Sequence, residues 1–116
     1  MATLATQVIN RAGVGPTYAA ATGGGDAMSV GSGMFLHVKN ASGAPITVTM
    51  VVPAARTLEP NVAITSPAIS VPATTGERMI GPIDAGTFAD PTTGLCTITY
   101  SGVTSLTVAS LQLSQP

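Results

Sequence analysis

The 116-residue chain has no tryptophan, one cysteine, one histidine, two tyrosines and two phenylalanines. Each scarcity excludes something. A lone Cys96 rules out an internal disulfide and any Cys-rich zinc site, and it favours synthesis in a reducing compartment. Charged residues make up 8% of the chain, against about 25% in ordinary domains. The four cations, Arg11, Lys39, Arg56 and Arg78, are scattered, and the net charge is −1. No basic face is available for nucleic acid, and no polybasic patch for a membrane surface. No apolar run approaches the ~18 residues of a membrane helix. The N-terminal stretch MATLATQVINRAG lacks the basic start and apolar run of a secretory signal. A soluble protein made in the cytoplasm is expected.

What is present is short-range alternation. Met34, Leu36 and Val38 are apolar at every second position, and Ile46, Val48, Met50 and Val52 repeat the pattern with Thr47 and Thr49 between them. Period two marks strands with one buried face. The Gly- and Pro-containing connection at 40–45 predicts an antiparallel hairpin, with Pro45 at the start of its second strand. Phe35, His37 and Lys39 fall on the outward face, so His37 reads as a solvated side chain. A second hairpin is predicted from Cys96, Ile98 and Tyr100, a turn over 101–105, and a return strand with Leu106, Val108, Leu111 and Leu113. The phase change after Val108 predicts a β-bulge near Ala109 and Ser110.

Shorter elements fill the rest. Residues 18–22 read as a short strand, 68–72 as another with Ile69 and Val71 inward, and 77–82 as a third. Phe88 should pack inward from a connection, and Asp90-Pro91 with Gly94 should form a turn. The run Gly23–Gly24–Gly25 before Asp26 reads as a turn; a phosphate loop would need a Lys and a Ser/Thr at fixed spacing before a helix. Residues 53–67 form a long connection interrupted by Pro53, Pro60 and Pro67, carrying Arg56 and Glu59; it suits either a partner-binding loop or a mobile surface loop. No element requires a helix. The expected fold is all-β: a small antiparallel β-sandwich or flattened barrel, with residues 1–17 as an extended N-terminal arm and 18–116 as a single β domain.

Catalytic chemistry finds no constellation here. His37 has no visible partners, Asp84 and Asp90 lie in connections without an aromatic-lined sugar cleft, and Cys96 alternates with core residues. No metal-ligand spacing exists. The reading is therefore of a non-enzyme without cofactor or metal. A surface of Thr, Ser, Gly, Ala and Pro with so few charges resists self-association poorly, which suits either a protein covered by partner subunits or an ordinary β domain of unusual composition.

The stretches RAGVGPTYAAA, GGDAM, MFLHVKNASGAPITVTMVVP, GERMIGPI and GLCTITYSGVTSLTVASLQL, in that order, resemble small virion proteins of tailed bacteriophages. The resemblance covers most of the chain and is weakest over 56–67. It implies a capsid decoration, or cement, protein: a small β domain on the outer surface of the virion shell. Its implied partners are the major capsid protein and further copies of itself, as a homotrimer. Neither nucleic acid nor membrane is implied. Leu4, Val8, Arg11, Tyr18, Arg56 and Glu59 become the expected partner contacts, because Arg and Tyr are enriched at binding hot spots and arms and long loops reach neighbours. The alternatives are a head–tail connector or tail component of the phage, and a β-sandwich module for glycan or host surface; the second would need an exposed aromatic cluster.

Overall fold

A computed structural model describes residues 2–53, 57–59 and 62–113, with 57–59 and 62–63 as backbone alone. The strands are β1 (Ala2–Thr3), β2 (Thr6–Ile9), β3 (Ala19–Ala20), β4 (Asp26–Met28), β5 (Met34–Asn40), β6 (Ile46–Val51), β7 (Thr57–Glu59), β8 (Val62–Ala63), β9 (Ala68–Val71), β10 (Gly76–Ile80), β11 (Cys96–Tyr100) and β12 (Leu106–Leu113), with one helical turn, α1 (Ala85–Phe88). The first sheet runs β1-β4-β11-β6-β9 and the second β10-β5-β12-β2, with β3 also on β12; β7 and β8 pair separately. Both sheets are antiparallel except at β1–β4 and β12–β2, where the pairing is parallel. The fold is a small β-sandwich.

Alternation decides what each strand buries. Leu36, Val38, Ile46, Val48, Met50, Val71, Cys96, Ile98, Leu106 and Val108 are buried together between the sheets. The Thr residues of β6 sit on the other face, so the expected strand phase holds. Pairing is another matter. Neither predicted hairpin exists: β5 lies between β10 and β12 in the second sheet, β6 between β11 and β9 in the first. Likewise β11 and β12 belong to opposite sheets. Each pair of runs is an arch whose two strands face one another across the core. Period two states which face is apolar and says nothing about whether the next apolar strand lies beside it or opposite it.

Buried polar groups hold the arches. Asn40, 1% exposed, donates from Nδ2 to the carbonyls of Ala44 (2.9 Å) and Val71 (3.2 Å), so a residue of the second sheet is tied to a strand of the first. Its Oδ1 accepts from the backbone N–H (2.9 Å) and hydroxyl (2.7 Å) of Ser42. Ala41 N–H donates to Ser105 at 3.0 Å, which joins the two arch connections to each other.

Three further expectations are corrected. There is no bulge in β12: its register with β5 is one-to-one from Leu106↔Asn40 to Gln112↔Met34. The apolar phase changes because β12 is covered on both faces over 109–111, with Ala109 2% and Leu111 3% exposed on the side away from the core. A helical turn is present at Ala85–Phe88, capped by Asp84, whose Oδ2 accepts from Thr87 N–H at 3.0 Å; it presents the buried Phe88. Regular structure also enters the long connection as the β7–β8 ladder.

The N-terminal stretch is extended chain sewn to the margin of each sheet. β1 pairs with β4, Leu4 N–H donates to Ala27 at 2.7 Å, and β2 then runs beside β12. Asp26 anchors this crossing. It is fully buried and accepts from Tyr100 Oη–H (2.7 Å), Thr22 N–H (3.2 Å) and Ala2 N–H (3.3 Å). Gly25 precedes it at φ +97, and a Cβ there would stand 2.7 Å from the Ile98 carbonyl, so the last glycine of the run is required by close strand approach.

Candidate interaction face

The two outer faces differ in chemistry. On the first sheet, Thr47, Thr49 and Val51 of β6, Thr97 and Thr99 of β11, and Ala68 and Ser70 of β9 point away from the core, as the register requires. None of these residues is charged or larger than Val. The second sheet presents Phe35, His37 and Lys39 from β5, Glu77 and Met79 from β10, and Ala109, Leu111 and Leu113 from β12. Directly opposed residues share a face, and Glu77 opposes Lys39, Met79 opposes His37, and Leu111 opposes Phe35. Charge, aromatic surface and exposed apolar surface therefore collect on this side.

Its apolar part lies toward one end. Met79 is 67% and Leu113 56% exposed. With Gly33, Met34, Phe35, Gly81 and Pro82 they line an open groove of about 370 Å³. Single exposed apolar residues are ordinary; here two long ones border a common groove.

The polar part adjoins it, with His37 directly opposite Met79. His37 is 6% exposed, which corrects its expected place in solvent. Its cover comes from the residues before β3. Tyr18 Oη lies 2.6 Å from His37 Nδ1, and the two rings meet edge to face at 5.4 Å. Lys39 Nζ stands 4.1 Å from the Tyr18 ring centroid, a cation–π contact. Glu77 Oε1 approaches His37 Nε2 to 3.4 Å; this is ion-pair range without hydrogen-bond geometry, so Nε2 is buried with no hydrogen bond. Gln7 holds the approach to Tyr18 by a pair of hydrogen bonds to Thr17: Nε2 donates to its carbonyl (2.8 Å) and Oε1 accepts its N–H (2.7 Å). The partners His37 lacks in the sequence come from residues 18 and 77, which no local pattern brings to it.

The expected contact residues scatter. Leu4 is 7% exposed and joins the core cluster, so its side chain is not a surface anchor. Val8 is 47% exposed on the edge strand β2, and Arg11 is exposed in the turn beyond it. Tyr18 lies half-buried on the second sheet's outer face. Arg56 and the side chain of Glu59 fall outside the described residues. Met79 was missed because a single outward apolar residue on a short strand carries no signal, and Leu113 because the expected bulge turned it inward; the sheet order β10-β5-β12 puts both on the same outer face.

Cys96 and Tyr100 pack in or against the core. Burial pushes the Cys96 thiol up from 9.0 to about 12, which disfavours the thiolate a nucleophile or metal ligand needs. Burial, then the hydrogen bond to Asp26 and its charge, push the Tyr100 phenol well above its ordinary value. Among the described residues no three His, Cys, Asp or Glu side chains gather as a metal site, and no helix is long and apolar enough to cross a membrane. The chain matches no protein-family model, no curated protein and no solved structure.

Proposed function

We propose that this chain is a structural virion protein of a tailed bacteriophage, seated on the outer surface of the capsid as a decoration or cement protein. The observation that carries the reading is the apolar groove bordered by Met79 and Leu113, exposed on a chain with 8% charged residues. Such a surface is stabilised by being covered, and the resemblance to phage virion proteins supplies the cover: the major capsid protein and neighbouring copies of this chain, three to a site. The mechanism is mass action. A protein that binds only the expanded shell stabilises that state by its binding free energy, summed over many copies. Interfaces of standard size bury on the order of 1,200–2,000 Å² each.

A cryo-EM map of particles carrying this chain tests the location. Density repeated over the whole shell supports decoration; density at a single vertex transfers the chain to the connector or tail reading. Particles with and without the protein, heated in parallel, test the role: earlier rupture of the depleted shells is expected, and equal rupture temperatures remove the cement mechanism.

A further inference from the structure

Tyr18, His37 and Glu77 stand in the order of a nucleophile, a base and a carboxylate facing the base's far nitrogen, and the proposed shell-binding role does not use that order. We propose that Tyr18 is a base-activated phenol that takes up an activated acyl group, with His37 as its general base. The 2.6 Å separation of Tyr18 Oη and His37 Nδ1 is within reach for direct proton transfer. Glu77 faces the opposite ring nitrogen at 3.4 Å. A carboxylate there favours the ring proton on Nε2, which leaves the Nδ1 lone pair toward the phenol. The imidazolium formed during attack then faces the Glu77 carboxylate. Lys39, 4.1 Å from the Tyr18 ring centre, places a cation where negative charge grows as the phenol loses its proton. During attack, charges alternate along the row from Glu77 through His37 and Tyr18 to Lys39. A depression of about 260 Å³ is bordered by Lys39 and Glu77 with Asn40 and Thr74; Tyr18 and His37 do not line it, so the donor is met at the exposed side of the Tyr18 ring.

The step balances without any redox partner. Tyr18 Oη attacks the carbonyl carbon of an activated ester while its proton passes to His37 Nδ1. The new Oη–C bond forms, the bond from carbon to the leaving oxygen breaks, and His37 returns the proton to that oxygen. The products are a tyrosyl ester and a free alcohol or phenol. Tyr100 is an internal comparison, since its hydroxyl donates to the Asp26 carboxylate at 2.7 Å and not to an imidazole.

The test uses the full chain and p-nitrophenyl acetate. Release of p-nitrophenol is followed, and the modified residue is located by peptide mass. Hydroxylamine removes a tyrosyl ester and leaves any lysine amide. A positioned general base contributes on the order of 10²–10⁴ in rate. Acetylation of Tyr18 at least about tenfold faster than of Tyr100 and of N-acetyltyrosinamide is therefore expected. Tyr18→Phe should abolish the hydroxylamine-sensitive product. His37→Gln can still hydrogen-bond but cannot carry the proton, and should bring Tyr18 down to the rate of the free tyrosine amide. If His37→Gln fails to fold by circular dichroism, the wild-type rate in D2O decides, because base-assisted attack slows there. A Tyr18 rate equal to that of N-acetyltyrosinamide, a rate unchanged by His37→Gln, or one insensitive to D2O overturns the proposal.

Discussion

Replacing Tyr100 with phenylalanine removes one oxygen and keeps the ring in the core. That oxygen is the shortest of three donors to the fully buried Asp26, at 2.7 Å, beside the amides of Thr22 and Ala2 at 3.2 and 3.3 Å. A hydrogen bond to a charged group contributes about 1.5–3 kcal/mol net, and its loss leaves a buried carboxylate served by two long amide bonds. Tyr100→Phe should therefore cost about 1.5–3 kcal/mol. For a domain near this length each kcal/mol lowers Tm by roughly 3–5 °C, giving a drop of about 5–15 °C. Urea titrations of wild type, Tyr100→Phe, Asp26→Asn and the double variant measure it. The double variant should recover about 1 kcal/mol or more relative to additivity, because both changes remove one interaction. Amide exchange at Ala2 and Thr22 should quicken in Tyr100→Phe ahead of the core strands, since Asp26 is what ties the N-terminal crossing down. A cost under about 0.5 kcal/mol, or strict additivity, would refute the view that the Asp26–Tyr100 pair holds this corner.

Alkaline titration gives a second expectation. The Cys96 thiol is raised in the fold from 9.0 to about 12, so the unfolded chain ionises first. Stability is full below pH 9 and is lost as pH rises from there toward 12, at up to about 1.4 kcal/mol per pH unit. Tyr100, raised from 10.0, adds a second loss that begins near pH 10. Cys96→Val should flatten the pH 9–10 part of a urea-stability profile; an unchanged slope there would mean the thiol is not what titrates. Gly25→Ala, at φ +97 with a Cβ directed at the Ile98 carbonyl, should cost at least about 1–2 kcal/mol by thermal melting, whereas Gly23→Ala, with nothing within 4 Å of its Cβ, should cost little. Met79→Asp combined with Leu113→Asp should leave Tm within a few degrees, because both side chains are more than half exposed, yet abolish co-sedimentation with capsids; retained binding would move the contact surface elsewhere.

The core was legible one strand at a time. Leu36, Val38, Ile46, Val48, Met50 and Ile98 announce their buried face by alternation, since side chains on a strand point to opposite sides whatever the partner. Turn residues were equally local: Asp90 accepts from Thr92 and Thr93 N–H at 2.7 and 3.3 Å, where Asp before Pro predicts a turn. The candidate face was barely legible. His37 looked solvated because its own strand puts it outward, and only the fold lays Tyr18 over it. The phase change at Leu111 read as a bulge because covering both faces of a strand and bulging it leave the same trace in the pattern.

The amino-acid sequence by itself therefore determined an all-β chain, the inward side of its strands and the sites of its turns, because these follow from backbone geometry and burial within a few residues. Tertiary structure alone decided that the two long runs arch across the core and do not pair, that Asn40 and Asp26 bind segments distant in the chain, and that Tyr18, His37, Lys39 and Glu77 meet on one face. Those outcomes depend on which strand becomes whose neighbour, a choice made by the packing of whole sheets and carried by no short stretch of the chain.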